Sequence, residues 1–340
     1  MRFGTQNIRY DGNFRQPVPI PPSGDGASRG GAKGEMPWAE RRSKIADSVL
    51  WENLDVVGFQ EALKNQVEDL ATLLGSEYSW VGVGRDDGKE AGEFVPVFYK
   101  ASRLAIISTR HFWLSTTPNV PGSKSWDAGQ TRMVTLVHFR PQTTPIKPSS
   151  TPDDFWILNT HWDDRGIESR TQAAKVILSE VNSLLAKEGD DGMAGKLVVL
   201  MGDLNSPVNE EGYKTLTGNK YPSSTFTVPL SPFRPPQTIF LDARHEVALA
   251  GPGKSQEGTP LLHAPFGEVE GTFTGFDRVP QKQVIDFIFF LDNSVVGTGD
   301  GSKWRVVRFG VMPNQYWDGR GNMYLSDHRM VVVRLEWTGL

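Results

Sequence analysis

LVVLMGDLNSP, residues 197–207, is an apolar run that stops abruptly on a glycine, a carboxylate and an amide. A continuous run of five apolar residues reads as a strand covered on both faces, because a strand with one wet face would alternate. Working outward, other segments share that form. Strand-like runs occur at 2–8, at Asp55–Gln60, near Ser79–Val83, Val95–Tyr99, Leu104–Leu114 and Met133–Phe139, and at Phe155–Thr160. VIDFIFFL, WRVVRFGV and MVVVRLEW follow near the end. Helical spacing is seen at Trp38–Trp51, where Ile45 and Val49 share a face, at Val67–Leu74 and at about Glu168–Lys187. Many strands with fewer helices predict an α/β chain of stacked sheets with helices outside.

The 340 residues are 38% hydrophobic, enough for a large core. No repeat is visible. The Pro/Gly-rich stretch at about 16–33 and the irregular stretches at about 141–152 and 221–236 are not followed by a composition shift. They read as loop insertions in one domain spanning 1–340. With 36 basic and 40 acidic residues the net charge is −4. A protein living on non-specific duplex binding carries a basic excess, so a long nucleic acid is not the default partner. There are no cysteines, which excludes disulfides, thiolate zinc sites and cysteine nucleophiles. No apolar run reaches the length of a membrane span, and the N-terminus lacks a signal-peptide core. These features lean towards a cytoplasmic protein and a monomer.

The telling pattern is where polar residues fall. LVVLM runs into Gly202-Asp203-Leu204-Asn205, FWILNT into His161, and DVVGFQ into Glu61. Asp286 sits inside an apolar strand, Asp327-His328 precedes MVVV, and Asn7 closes the first strand. A buried carboxylate without a partner costs several kcal/mol, so each must be paired, hydrogen-bonded or on a metal. In extended chain, Asp203 and Asn205 would project to one side. There a carboxylate could orient and deprotonate water while an amide holds it; the plainer alternative is an Asx turn. Asp327 and His328 should face opposite ways, with Asp286 accepting from the second ring nitrogen of His328. Glu61 and Asn7 offer the hard oxygens that Mg²⁺ or Mn²⁺ prefers. His111 and His138 look like packing residues, and His245 and His263 have no partner apparent in sequence. Arg85, in GVGRDDG, is within reach of a substrate anion. No serine nucleophile elbow or P-loop is present.

Together these residues resemble the endonuclease/exonuclease/phosphatase superfamily, the DNase I-like metallophosphoesterases. The match is carried in order by TQNIRYD at 5–11, GFQEAL at 58–63, NTHWDDRG at 159–166, GDLNSP at 202–207, IDFIF at 285–289 and SDH at 326–328. GVGRDDGKEAGEF, FWLSTTPNVPGS and WDAGQTR look like an uncharacterised hydrolase branch. The resemblance implies a four-layer α/β/β/α sandwich of two packed, mostly antiparallel sheets. It implies that Glu61 is the principal metal carboxylate, supported by Asn7 and Asp327. Asp203 would align the attacking water, with Asn205 near the phosphate. His328, oriented by Asp286, would be the catalytic histidine, and His161 would bond a phosphoryl oxygen. Arg132 would be a phosphate-facing arginine; beside the resemblance, Arg85 and Trp162 are further candidates for substrate binding. The implied activity is metal-dependent hydrolysis of a phosphate ester. Gln6, where relatives often have Trp or Phe, and Trp162-Asp163-Asp164, where they commonly have Leu-Asp-His, depart from the pattern. Asp163 or Asp164 could then change charge or metal number. The acidic balance and aromatic loops (Trp80, Trp113, Trp126, Trp162) favour a small phosphorylated substrate. Alternatives are a nuclease acting on DNA or RNA and a non-catalytic binding protein that retains the fold.

Overall fold

The computed structural model describes residues 1–12, 34–142, 154–188, 196–221, 238–249, 265–276, 281–292, 304–317 and 322–337. The insertion at 16–33, most of the stretches at 141–152 and 221–236, and His263 lie outside the described residues.

In chain order the elements begin with β1 (Arg2–Asn7), α1 (Trp38–Glu52), β2 (Val56–Gln60), α2 (Lys64–Leu74), β3 (Tyr78–Val81) and β4 (Val97–Lys100). Next come β5 (Leu104–Trp113), β6 (Met133–Pro141), β7 (Phe155–His161), α3 (Ile167–Glu188), β8 (Leu197–Asp203) and α4 (Glu211–Thr217). The chain ends with β9 (Phe240–Asp242), α5 (Ala243–Leu249), β10 (Phe266–Gly267), β11 (Asp286–Leu291), β12 (Trp304–Val311), β13 (Gln315–Trp317), β14 (Asn322–Tyr324) and β15 (Val331–Trp337). One sheet runs β10-β12-β15-β1-β2-β4-β3 and the other β5-β6-β7-β8-β11-β9, with β13-β14 a small hairpin. Neighbours are antiparallel except β1/β2, β10/β12 and β7/β8. This is the α/β sandwich expected.

The apolar runs of the central strands are explained by period 2. Phe155 and Ile157 of β7, with Leu197, Val199 and Met201 of β8, join Phe3, Val56 and Val97 in a core between the sheets. The intervening Trp156, Leu158, Val198 and Leu200 face Ala173, Ile177 and Val181 of α3 and Leu216 of α4. On the opposite side Val57, Phe59 and Phe98 meet Ile45, Val49, Val67 and Leu70 of α1 and α2. The order is helix, sheet, sheet, helix. Both faces of each central strand are buried, so no polar alternation is left in the sequence.

The sheets are also tied by polar groups. Gln60 donates to Thr5 Oγ1 at 3.0 Å and across the core to Asn159 Oδ1 at 2.7 Å. Asn159 donates to the carbonyls of Phe59 and Pro96, each at 2.9 Å. Gly58 leaves room for this bridge, since a side chain there would overlap the Asn159 amide. Among the described residues no helix is long and apolar enough to cross a membrane.

Candidate active site

β1, β2, β7 and β8 all end at one edge of the sandwich, and the antiparallel β11 and β15 begin there. Sheet register therefore brings together residues far apart in sequence. Asp203 is paired in register with His161 on one side and Asp286 on the other. Asn7 lies at the matching end of β1, in the other sheet, and Glu61 follows Gln60 of β2.

Asp203 Oδ2 is the meeting point. Asn7 Nδ2 donates to it at 3.0 Å, His161 Nε2 lies 3.5 Å away and His328 Nε2 3.6 Å away. The carboxylate is 1% exposed. Burial raises its pKa, His328 lowers it, Asp286 raises it again, and bonds from Asn7 and the Asn205 amide pull it back, leaving it at about 7. A base near neutrality suits proton transfer from water. His328 gives Nδ1 to Asp286, at 2.9 and 3.1 Å from its two oxygens. Burial opposes charge on His328, but Asp286 and Asp203 outweigh it and hold its pKa well above the ordinary value. His161 is the reverse. Burial, then Arg132, Arg85 and His328, keep it well below, so it is neutral.

Asn7 Nδ2 also donates to Glu61 Oε1 at 2.9 Å, so one amide joins Glu61 to Asp203. Glu61 Oε2 accepts from the Tyr10 amide at 3.2 Å and lies 3.8 Å from Arg9. Glu61 has φ 60°, a left-handed conformation rare for such a residue and a store of local strain. Asp327 is buried, and burial, with repulsion from Glu61, raises its pKa despite His328 and Arg9. Ser326 Oγ donates to the Asn7 carbonyl at 2.7 Å and stands 3.2 Å from Asp327 Oδ1, tying the β15 approach to β1. Asp203, Asp286 and His328 also offer ligand atoms within 4.8 Å of one another. Their geometry is that of an ion pair, however, with both Asp286 oxygens spent on one imidazole nitrogen.

Several expectations need correction. Asp203 and Asn205 do converge, but not along extended chain. β8 ends at Asp203, Asn205 has φ 47°, and its amide N donates to Asp203 Oδ1 at 2.9 Å. The Asx turn is what aims the Asn205 side chain, whose Nδ2 reaches the Trp162 carbonyl at 3.1 Å and His161 Nε2 at 3.2 Å. Trp162 cannot touch a substrate. It follows His161 in the chain, points to the opposite face, and is 0% exposed in the core beneath α3 and α4. Trp113 is also buried, its indole donating to the Arg85 carbonyl at 2.6 Å. The expected aromatic wall therefore loses two members. Asp163 is no spare ligand, because it accepts the amides of Gly129, Gln130, Arg165 and Gly166. His245 has a partner, stacking on Tyr221 with ring centroids 4.5 Å apart.

Three residues escaped the sequence. Glu93 lies 3.8 Å from both His161 Nδ1 and Arg132, and takes Arg85 NH1 at 2.5 Å. Arg85 therefore stands behind His161, bound to Glu93 and, at 3.2 Å, to Gln130. Arg132 is 7% exposed, with NH1 on His161 Nδ1 at 2.7 Å and NH2 on Asp164 at 3.1 Å. Arg41 of α1 is buried and clamps the carbonyls of Ile8 (2.6 Å) and Leu325 (2.7 Å), its pKa pushed down to about 10 by burial. It fixes the chain just after Asn7 and just before Asp327. A signal for Arg41 existed, since it shares the apolar stripe of Ile45 and Val49. The third, Asn159, carried none.

Solved structures match this chain over nearly all its length. The endonuclease/exonuclease/phosphatase protein of Bacteroides vulgatus is 27% identical, with a TM-score of 0.69 and 98% of each chain covered. The chain has the endonuclease/exonuclease/phosphatase fold. A mannosyl-6-phosphatase of Bacteroides thetaiotaomicron shares that fold at 23% identity, TM-score 0.71 and 99% of each chain covered. TDP2 of D. rerio, complexed with a single-strand DNA product, shares it at 14% identity and TM-score 0.59, covering 99% of this chain and 98% of its own. No family model matches the sequence, and no curated protein does.

Proposed function

We propose that this chain is a divalent-metal-dependent hydrolase of phosphate esters that acts on a small phosphorylated substrate. The observation that carries the proposal is the convergence of Asn7, His161 and His328 on one oxygen of a nearly neutral-poised Asp203. That set combines a base for water with donors for an anion. Two neighbours of the same fold support this reading, one named a phosphatase and one holding a DNA product.

The Glu61, Asn7 and Asp327 set fits a hard divalent cation. Glu61 and Asp327 supply carboxylate oxygens that repel each other with Arg9 as the nearby counter-charge, while Asn7, whose Oδ1 takes the Arg9 amide and whose Nδ2 holds Glu61, orients the Glu61 carboxylate. Mg²⁺ or Mn²⁺ held there would neutralise charge on the phosphoryl oxygens and stabilise the leaving oxygen. The remaining work belongs to the chain. Asp203 orients the attacking water and takes its proton. His328, kept charged by Asp286, donates from Nε2 where negative charge develops. His161 and Asn205 add neutral hydrogen bonds to a phosphoryl oxygen. Arg85 lends positive charge from behind His161.

The test is turnover of bis(nitrophenyl) phosphate and nitrophenyl phosphate with Mg²⁺ or Mn²⁺ and with EDTA. Asp203→Ala should abolish turnover while the circular dichroism spectrum and Mn²⁺ binding persist. Replacing His328 with Ala should cost on the order of 10²–10⁴ in kcat. Near-normal turnover by Asp203→Ala would sink the assignment. Absence of metal-dependent turnover on both ester classes would favour the binding-protein alternative.

A further inference from the structure

The two imidazoles of the site meet opposite partners at Nδ1. His328 meets the Asp286 carboxylate, whereas His161 meets a guanidinium, Arg132 NH1, at 2.7 Å. The Glu93 carboxylate stands 3.8 Å from the same nitrogen, too far to compete. An arginine has only donors and keeps its proton, so His161 Nδ1 must be the acceptor. A neutral imidazole that accepts at one nitrogen carries its proton on the other. The proton therefore sits on Nε2. Asn205 Nδ2 is also a donor, 3.2 Å from Nε2, but the Trp162 carbonyl holds that amide at 3.1 Å, so the shorter, charge-assisted bond from Arg132 at 2.7 Å decides which nitrogen accepts, and Asp203 Oδ2 at 3.5 Å is the acceptor facing Nε2–H.

We propose that Arg132 is a positioning residue that fixes His161 as the neutral Nε2–H tautomer, a permanent hydrogen-bond donor to the site. Arg132 is built for that task. NH2 is bound by Asp164, and Nε lies 4.0 Å from Asp163, which pins the 129–130 and 165–166 backbone around it. A side chain so engaged and so buried acts through His161 and not on the substrate. The charged groups facing His161 are Arg132 before β6, Arg85 and Glu93 from the loop between β3 and β4, Asp203 at the end of β8, and His328 before β15. The arginines and His328 all disfavour a proton on Nδ1. Asp203 is thereby left as the base, since His161 cannot take a proton from water. Phosphate-ester hydrolysis is not needed for this tautomer, which rests on the Arg132 contact being the shorter and the charged one of the two that reach the ring.

The test is nuclear magnetic resonance of the full chain labelled with ¹⁵N-histidine, with His161 assigned by its loss in His161→Gln. The expected wild-type spectrum has a lone-pair-type Nδ1 and a protonated Nε2, unchanged over about pH 5 to 8, the range in which a free histidine titrates. In Arg132→Met, Glu93 is left as the partner, the proton moves to Nδ1, and His161 titrates near the ordinary value of about 6.5. Arg132→Lys, which keeps a donor, should restore the wild-type signature. Turnover of Arg132→Met should show a second ionisation on the acid limb, near the ordinary histidine value, beyond the one that Asp203 gives wild type and Arg132→Lys. A protonated Nδ1 in wild type, or ordinary titration of His161 there, overturns the proposal, and that spectrum decides even if Arg132→Met fails to fold. An Arg132→Met spectrum identical to wild type overturns it too. An inactive wild-type protein with His161 protonated on Nε2 would instead sink the hydrolase proposal and leave this one standing.

Discussion

At the scale of single residues, the site is ordered by side chains that never face the substrate. Ser326 is the clearest case. Its hydroxyl holds the Asn7 carbonyl, and it borders Asp327 Oδ1 and the His328 amide. Partners behind a metal ligand typically contribute a factor of about 10–100 in metal affinity. Ser326→Ala should therefore weaken Mn²⁺ binding by roughly tenfold or more in calorimetric titration while leaving secondary structure intact. Unchanged affinity would remove Asp327 from the proposed metal set. Gly202 is a second case. Its φ of 145° is outside the range of ordinary residues, and a side chain there would overlap the Thr160 carbonyl oxygen. Gly202→Ala should cost on the order of 1–3 kcal/mol from backbone strain alone, read as a lower urea midpoint. It should also lower kcat, because the residue displaced next is Asp203.

At the scale of elements, strand ends do the positioning. Asp203, His161 and Glu61 were legible because each interrupts an apolar run, and a buried charge there needs a reason. Helix and strand types were legible for the same cause, β8 and β11 being too apolar and too short for anything but doubly covered strands. What stayed hidden depends on contact across sheets. Asn159 sits in FWILNT as one polar residue in a strand, and nothing local says that it spans the core to Gln60. Glu93 lies in a polar loop whose other carboxylates are exposed or cap turns. Trp162 reads as a loop aromatic, whereas alternation after His161 sends it to the other face and into the core. α4, α5 and β9 flank irregular sequence and lack a long periodic signal. The Asn159 bridge yields its own prediction. Asn159→Leu leaves Gln60 and two carbonyls without their partner, and should destabilise by roughly 3 kcal/mol at a typical unsatisfied-group cost, measured by urea unfolding.

At the scale of the whole molecule, the two sheets share one continuous apolar layer, with Phe3, Val97 and Val331 on one side and Val137, Val199 and Ile288 on the other. We propose that the chain unfolds as one unit, and expect far-ultraviolet dichroism and tryptophan fluorescence to report coincident urea transitions. Two resolved transitions would divide the chain into separate domains. The net charge of −4 also gives the substrate proposal a bulk test. Affinity that rests on a small phosphate group should change little between about 50 and 200 mM salt, whereas a ligand making many phosphate contacts loses about 10³–10⁵ over that interval.

The hydrogen bond from Asn7 to Asp203 runs from one sheet to the other. It makes the candidate site a gauge of sliding between the two halves of the sandwich. A slip of about one ångström, too small to expose the core, is enough to break the alignment that catalysis needs. Hydrostatic pressure or mild denaturant should therefore silence the proposed turnover before either sheet melts, and that turnover should return at once when the stress is lifted.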